Sequence, residues 1–125
     1  MPMQLLLTMK KMLITKKFTF DSAHKLINYE GKCKNLHGHT YTLFVTIKGE
    51  INDTTGMVID FGEVKKIVKE SVIDVLDHAY VNDFIDQPTA ENMIVWIWKK
   101  LESKLKLYKL ELWETPDSFA TYYGE

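Results

Sequence analysis

Strand-like and helix-like stretches follow one another along this chain with clear breaks between them. From Met12 to Phe20 a run of Leu, Ile, Thr and Phe has the composition of a strand, and residues 25–36, with Asn28, Gly31, three lysines and Asn35, have that of a loop. Thr40 to Lys48 is the clearest strand. Tyr41, Leu43, Val45 and Ile47 occupy one face of it, and Thr40, Thr42, Thr46 and Lys48 fall mostly on the other. After a turn over residues 49–56, the short run Met57 to Asp60 stops at a helix start: Asp60 with Glu63 resembles a capping box. Val64, Ile67, Val68, Val72, Val75 and Leu76 then recur at helical spacing, which predicts a helix ending near Leu76 and a loop over 77–83. Thr89 is the expected N-cap of a second helix with the stripe Ile94, Ile97, Trp98, Leu101 and Leu105. Leu107 to Glu114 alternates as a strand, residues 115–118 turn, and Phe119 to Tyr123 forms a last strand.

The order ββααββ predicts an α+β domain, two helices on one face of a four-stranded, largely antiparallel sheet. With 125 residues the chain is read as a single domain, residues 1–10 being a loose arm or part of an edge strand. Two open sheet edges must be covered or paired, and pairing with further copies makes a homo-oligomer the expectation.

Composition narrows the function classes. A net charge of −1, with 26% charged residues, gives no general electrostatic case for nucleic acid or a membrane surface. No stretch approaches the apolar length of a membrane span, the opening run is too short for a signal peptide, and a single cysteine forms no internal disulfide, so a cytoplasmic location is expected. All 16 basic residues are lysines, so an anionic ligand would meet point charges and backbone amides rather than guanidinium forks.

Candidate chemistry is concentrated in three of the four histidines. His37 and His39 are two apart and share the parity of Tyr41 and Leu43, with Gly38 between them leaving room for an ion. His24 shares the parity of Phe18 and Phe20 in the preceding strand. Three neutral imidazoles without a dedicated fourth ligand match an open catalytic zinc site. Satisfied core histidines, or a closed structural site with Cys33 as fourth ligand, are the blander alternatives. Cys33 lies four residues before His37 between Lys32 and Lys34, surroundings that lower a thiol pKa and suit a base or nucleophile; an idle loop cysteine has the same sequence signature. Asp77 and His78 follow the predicted helix end, where they read either as a proton relay or as a histidine favoured by the helix dipole. Glu114 ends the apolar face of its strand, as a carboxylate turned to solvent or as one awaiting a ligand with paired N–H donors.

These pieces together resemble the 6-pyruvoyl-tetrahydropterin synthase and 6-carboxytetrahydropterin synthase family over nearly the whole chain. They are, in order, residues Phe20 to His24, Cys33 to His39, Gly56 to Phe61, Leu76 to His78, Pro88 to Asn92, and Glu114 with Thr115. The resemblance implies zinc on His24, His37 and His39, a catalytic set of Cys33, Asp77 and His78, and Glu114 as the anchor of a pterin ring. It also implies the T-fold, or tunnelling fold, whose sheets assemble into barrels as homotrimers or homohexamers with active sites at subunit interfaces. The implied substrate is 7,8-dihydroneopterin triphosphate. Three residues between Cys33 and His37 resemble the carboxytetrahydropterin branch, which releases triphosphate and acetaldehyde and feeds queuosine and related deazapurine pathways. The pyruvoyl branch eliminates triphosphate alone and typically carries a longer insert; a third branch with glutamate for the cysteine is opposed by Cys33. The absence of arginine leaves the triphosphate contacts open, with Lys25, Lys32 and Lys34 as candidates. A zinc-stabilised binding or assembly module without turnover is the alternative of another class.

Overall fold

A computed structural model describes residues 2–3, 10–27, 30–31 and 35–125; Lys32, Cys33, Lys34 and most of the expected 1–10 arm lie outside the described residues. β1 (Lys11–His24) and β2 (His37–Glu50) pair antiparallel along their full lengths, from Lys11 opposite Glu50 to His24 opposite His37. Both strands run several residues further than their apolar alternation suggests, because the polar ends are held by the same ladder. α1 (Phe61–Val68) continues through a π-helical stretch (Lys69–Ile73) into a last turn (Asp74–Leu76). β3 (Ala79–Tyr80) and a 3₁₀ turn (Val81–Asp83) lead to α2 (Ala90–Leu101), and β4 (Leu107–Thr115) and β5 (Ser118–Tyr122) end the fold.

The sheet has five strands in the order β3-β1-β2-β4-β5, where four were expected. The extra strand, β3, falls in the predicted loop over 77–83 and is only two residues long. It pairs parallel with β1, Ser22 with Ala79 and Ala23 with Tyr80, and two residues leave no periodicity to read. The rest of the sheet is antiparallel.

Both helices cover one face, as the pattern predicts. Val64, Val68, Val72 and Leu76 of the first helix and Met93, Ile94, Ile97 and Leu101 of the second are buried with Tyr41, Leu43, Val45, Leu110 and Leu112 of the sheet. Residues 64, 68, 72 and 76 recur every four, more than one α-helical turn, and the wider turns of the π-helical stretch keep them on one line. Leu105, assigned above to the second helix, is buried beyond its end. The N-caps are those expected: the Asp60 carboxylate accepts the Gly62 N–H at 2.7 Å rather than that of Glu63, and Thr89 Oγ1 accepts the Asn92 N–H at 3.1 Å. Near the C-terminus Gly124 has φ of 85° and sits so close to Trp98 that a Cβ would fall 2.3 Å from its ring, so only glycine suits the position.

Leu110 is fully buried between sheet and helices. Leu110→Ala is expected to cost about 2–5 kcal/mol and Thr89→Ala about 1 kcal/mol in chemical denaturation. Equal, sub-kilocalorie losses for both would contradict the core described here.

Candidate active site

The β1–β2 register brings the histidines together. His24 stands opposite His37 and Ser22 opposite His39, so the three imidazoles share the core-facing side at one end of the sheet. His24, only 1% exposed, has Nδ1 at 2.8 Å from the Pro88 carbonyl and 3.2 Å from the Tyr41 hydroxyl. His37 Nδ1 lies 2.6 Å from the Asn35 carbonyl. A carbonyl only accepts, so each Nδ1 carries the proton that it donates, and in the neutral ring Nε2 keeps its lone pair. These two Nε2 atoms face each other at 3.0 Å. Two lone pairs so placed require a proton or a cation between them.

Glu114 completes the group from β4. Its Oε1 is 3.4 Å from His24 Nε2 and 3.0 Å from His39 Nε2, and the four ligand atoms all lie within 4.8 Å of one another. His39 Nε2 is buried and makes no hydrogen bond, despite its proximity to the carboxylate. A tetrahedral ion with bonds of about 2.0–2.1 Å holds its ligands roughly 3.3 Å apart. The spacing, the orphaned Nε2 and the three-imidazole, one-carboxylate chemistry all fit a divalent metal. Burial holds His39 below its ordinary pKa, against the pull of Glu114, which keeps its lone pair available. Contact with His24 Nε2 holds the Glu114 carboxyl below its ordinary value despite burial, so it is an anion at neutral pH.

Asp77 and His78 are brought into contact, His78 Nδ1 lying 3.1 Å from Asp77 Oδ2. β1 holds the pair from one side: the Asp21 N–H donates to Asp77 Oδ1 at 2.9 Å and the Asp21 carbonyl accepts the His78 N–H at 2.6 Å. The Asp21 carboxylate in turn accepts from Thr40 Oγ1 at 2.5 Å. The Asp21 N–H, followed by the charge of His78, keeps Asp77 below its usual carboxylate pKa. His78 has φ of 59°, a left-handed conformation unfavourable for a side-chain-bearing residue and typical of sites where position outweighs strain. Its side chain is 79% exposed and open to a ligand.

Two grooves meet at His39. One, of about 570 Å³, is lined by Asp21, His39, Thr40, His78 and Tyr80; the other, of about 580 Å³, by Lys17, His39, Trp113, Glu114 and Thr115. Lys25 is exposed, and its backbone is gripped by the Asn82 side chain at 2.9 and 2.8 Å. Gln87 grips Ile27 in the same way at 2.7 and 2.6 Å. These two amides anchor the chain where it leaves β1 toward Cys33. They stand far from it in sequence, without any motif to disclose them, and sequence reasoning did not single them out; nor did it single out Asp21, Thr40 or Tyr41.

A family profile described as 6-pyruvoyl tetrahydropterin synthase matches residues 13–125. Among curated relatives, the 6-carboxy-5,6,7,8-tetrahydropterin synthase of Haemophilus influenzae is 37% identical over 87% of this chain and 96% of its own. That of Synechocystis is 39% identical over 90% of this chain and 93% of its own. The solved structure of Caenorhabditis elegans 6-pyruvoyl tetrahydropterin synthase superposes with a TM-score of 0.85 at 30% identity, covering 94% of this chain and 99% of that one. With its T-fold and its converging histidines, the chain belongs to the 6-pyruvoyl tetrahydropterin synthase family.

Proposed function

We propose that this chain is a zinc-dependent 6-carboxytetrahydropterin synthase. It converts 7,8-dihydroneopterin triphosphate and water to 6-carboxy-5,6,7,8-tetrahydropterin, acetaldehyde and triphosphate. The observation that carries the metal dependence is the convergence of His24, His37 and His39 on one point with His39 Nε2 orphaned there. The carboxy outcome is supported by the three-residue spacing from Cys33 to His37 and by the names of the two curated relatives above. The oligomer is proposed as a homotrimer or homohexamer, for which β5, paired on one side only among the described residues, offers an edge, and the location as cytoplasmic.

His24, His37 and His39 would hold the zinc ion, whose Lewis acidity acidifies the side-chain hydroxyls of the substrate and stabilises enolate-like charge. Cys33, as thiolate, serves as base at the side-chain carbon next to the ring. His78 carries protons to and from the thiol or a substrate oxygen, and Asp77 fixes its tautomer and ring orientation. Glu114 has two possible duties, as fourth ligand or as pterin anchor. We assign it the second. As an anion lining the groove with Trp113 and Thr115, it offers two acceptor oxygens to the paired N–H groups of the ring. A fourth protein ligand would close the shell and leave no position for substrate. Triphosphate falls to Lys25, Lys32 and Lys34, the cations flanking this end of β1 in sequence.

Mass spectrometry of zinc-loaded protein incubated with 7,8-dihydroneopterin triphosphate is expected to give the carboxypterin and acetaldehyde in equal amounts. The pyruvoyl product would reassign the branch, and no consumption would favour the binding-module reading. Cys33→Ala should retain one zinc per chain and lose turnover by at least about a hundredfold, the lower range for acid–base catalysis, whereas His37→Ala should lose both zinc and turnover. Full activity in the first variant, or stoichiometric zinc in the second, removes that residue from its role. Glu114→Gln should keep zinc and raise KM about 10–100-fold, the worth of a hydrogen bond to a charged group. Loss of zinc in that variant would make Glu114 a ligand instead.

A further inference from the structure

Toward the other end of the sheet lies a further cavity, of about 860 Å³, formed where β1 begins, β2 ends and the chain enters β4. Along β2 its nearest lining residue, Ile47, is roughly 27 Å from His39, so it is separate from the site above. Ile47 and Leu105, both buried, and the half-buried Leu107 contribute an apolar floor. Four exposed lysines, Lys11, Lys48, Lys104 and Lys106, stand around it with one carboxylate, Glu50. Among the described residues none of these four ammonium groups has a carboxylate partner within 4.0 Å; Lys104 Nζ donates to Ser71 Oγ at 2.8 Å. A quarter of the chain's lysines thus crowd one mouth in a protein whose net charge is −1. Such crowding is unfavourable without an anion to relieve it.

An aromatic wall accompanies the charge. Thr46 pairs with Lys109 and Ile47 with Leu107, which leaves Tyr108 as the extra residue of a β-bulge. Bulges re-aim side chains, and Tyr108 is 37% exposed, with Lys48 Nζ 5.6 Å from its ring centroid and Tyr123 edge-on at 5.7 Å. Apolar floor, exposed ring and multiple ammonium groups are complementary to a planar aromatic group bearing several phosphates. The volume lies within the roughly 300–1,000 Å³ of small-molecule sites.

We propose that this cavity is a second ligand site, for an aromatic polyphosphate of the nucleoside triphosphate class. The ring lies on the floor against Tyr108, and the phosphates meet Lys48, Lys106 and Lys11. The proposal stands whether or not the reaction assigned above is the right one.

The test is calorimetric titration of the intact oligomer with ATP, with adenosine and inorganic triphosphate as separate probes. ATP is expected to bind at least tenfold more tightly than either fragment. The surface double variant Lys48→Glu, Lys106→Glu should lose at least tenfold in ATP affinity while pterin turnover is unchanged, and His37→Ala should bind ATP as the parent does. Tyr108→Ala should weaken ATP while leaving triphosphate as before. Absence of binding at millimolar ATP, undiminished binding in the double variant, or loss of binding in His37→Ala would each overturn the proposal, the last by moving ATP to the histidine end.

Discussion

The register of β1 against β2 is the constraint on which the rest depends. Two strands of 14 residues pair without a slip from Lys11 and Glu50 to His24 and His37, so the position of every imidazole is decided by backbone hydrogen bonds along the whole ladder. A one-residue slip would turn one strand's histidines to the opposite face and expose its apolar set at the same time. The core and the histidine group are therefore specified by one alternation: Phe18, Phe20, Ser22 and His24 on β1, and His37, His39, Tyr41 and Leu43 on β2. Hydrophobic burial that stabilises the fold also aligns the site, and Phe20 stacked on Tyr41 at 5.1 Å is the layer where one passes into the other.

The Asp77–His78 pair is held by a different device. Asp77 and His78 follow a helix, and a helix end alone leaves such residues loosely placed. Here Ser22 Oγ donates to the Leu76 carbonyl, the Asp21 backbone takes both Asp77 and His78, and β3 adds a short parallel rung. β1 thus carries His24 on one side of its pleat, and through Asp21 it fixes the Asp77–His78 pair beside the other. The unfavourable φ of His78 is tolerated because its neighbours are over-determined.

How far the sequence disclosed all this follows from the length of each signal. The central parts of β1 and β2, both helices and their caps were legible, since alternation and helical spacing persist over many residues and Asp60 and Thr89 are strong cap residues. The histidine group was legible for the same reason: parity places it. β3 was not, since two residues carry no period, nor was the π-helical stretch, whose only trace is a spacing of four at 64, 68, 72 and 76. For Glu114 the alternation left open whether the strand-end acid turns to solvent or awaits a ligand, and its contact with His24 and His39 depends on the β2–β4 pairing, which alternation within one strand cannot supply. Asn82 and Gln87, which grip the backbone of Lys25 and Ile27, belong to the same class of long-range polar contacts.

The two ends of the sheet differ in what they ask of a ligand. At the histidine end, backbone carbonyls hold the Nδ1 protons of His24 and His37, and burial suppresses protonation of His39, so the end presents lone pairs and a carboxylate and attracts a cation. At the other, lysines without carboxylate partners among the described residues attract an anion. With no arginine in the chain, planar bidentate grips are absent from both, and specificity must come from shape: the grooves around His39 at one end and the bulged Tyr108 wall at the other. Binding at either end would be felt at the other through the paired strands β1, β2 and β4, which run between them. The β1–β2 ladder pairs without a slip and its inner face is buried, so it offers the two ends a common support.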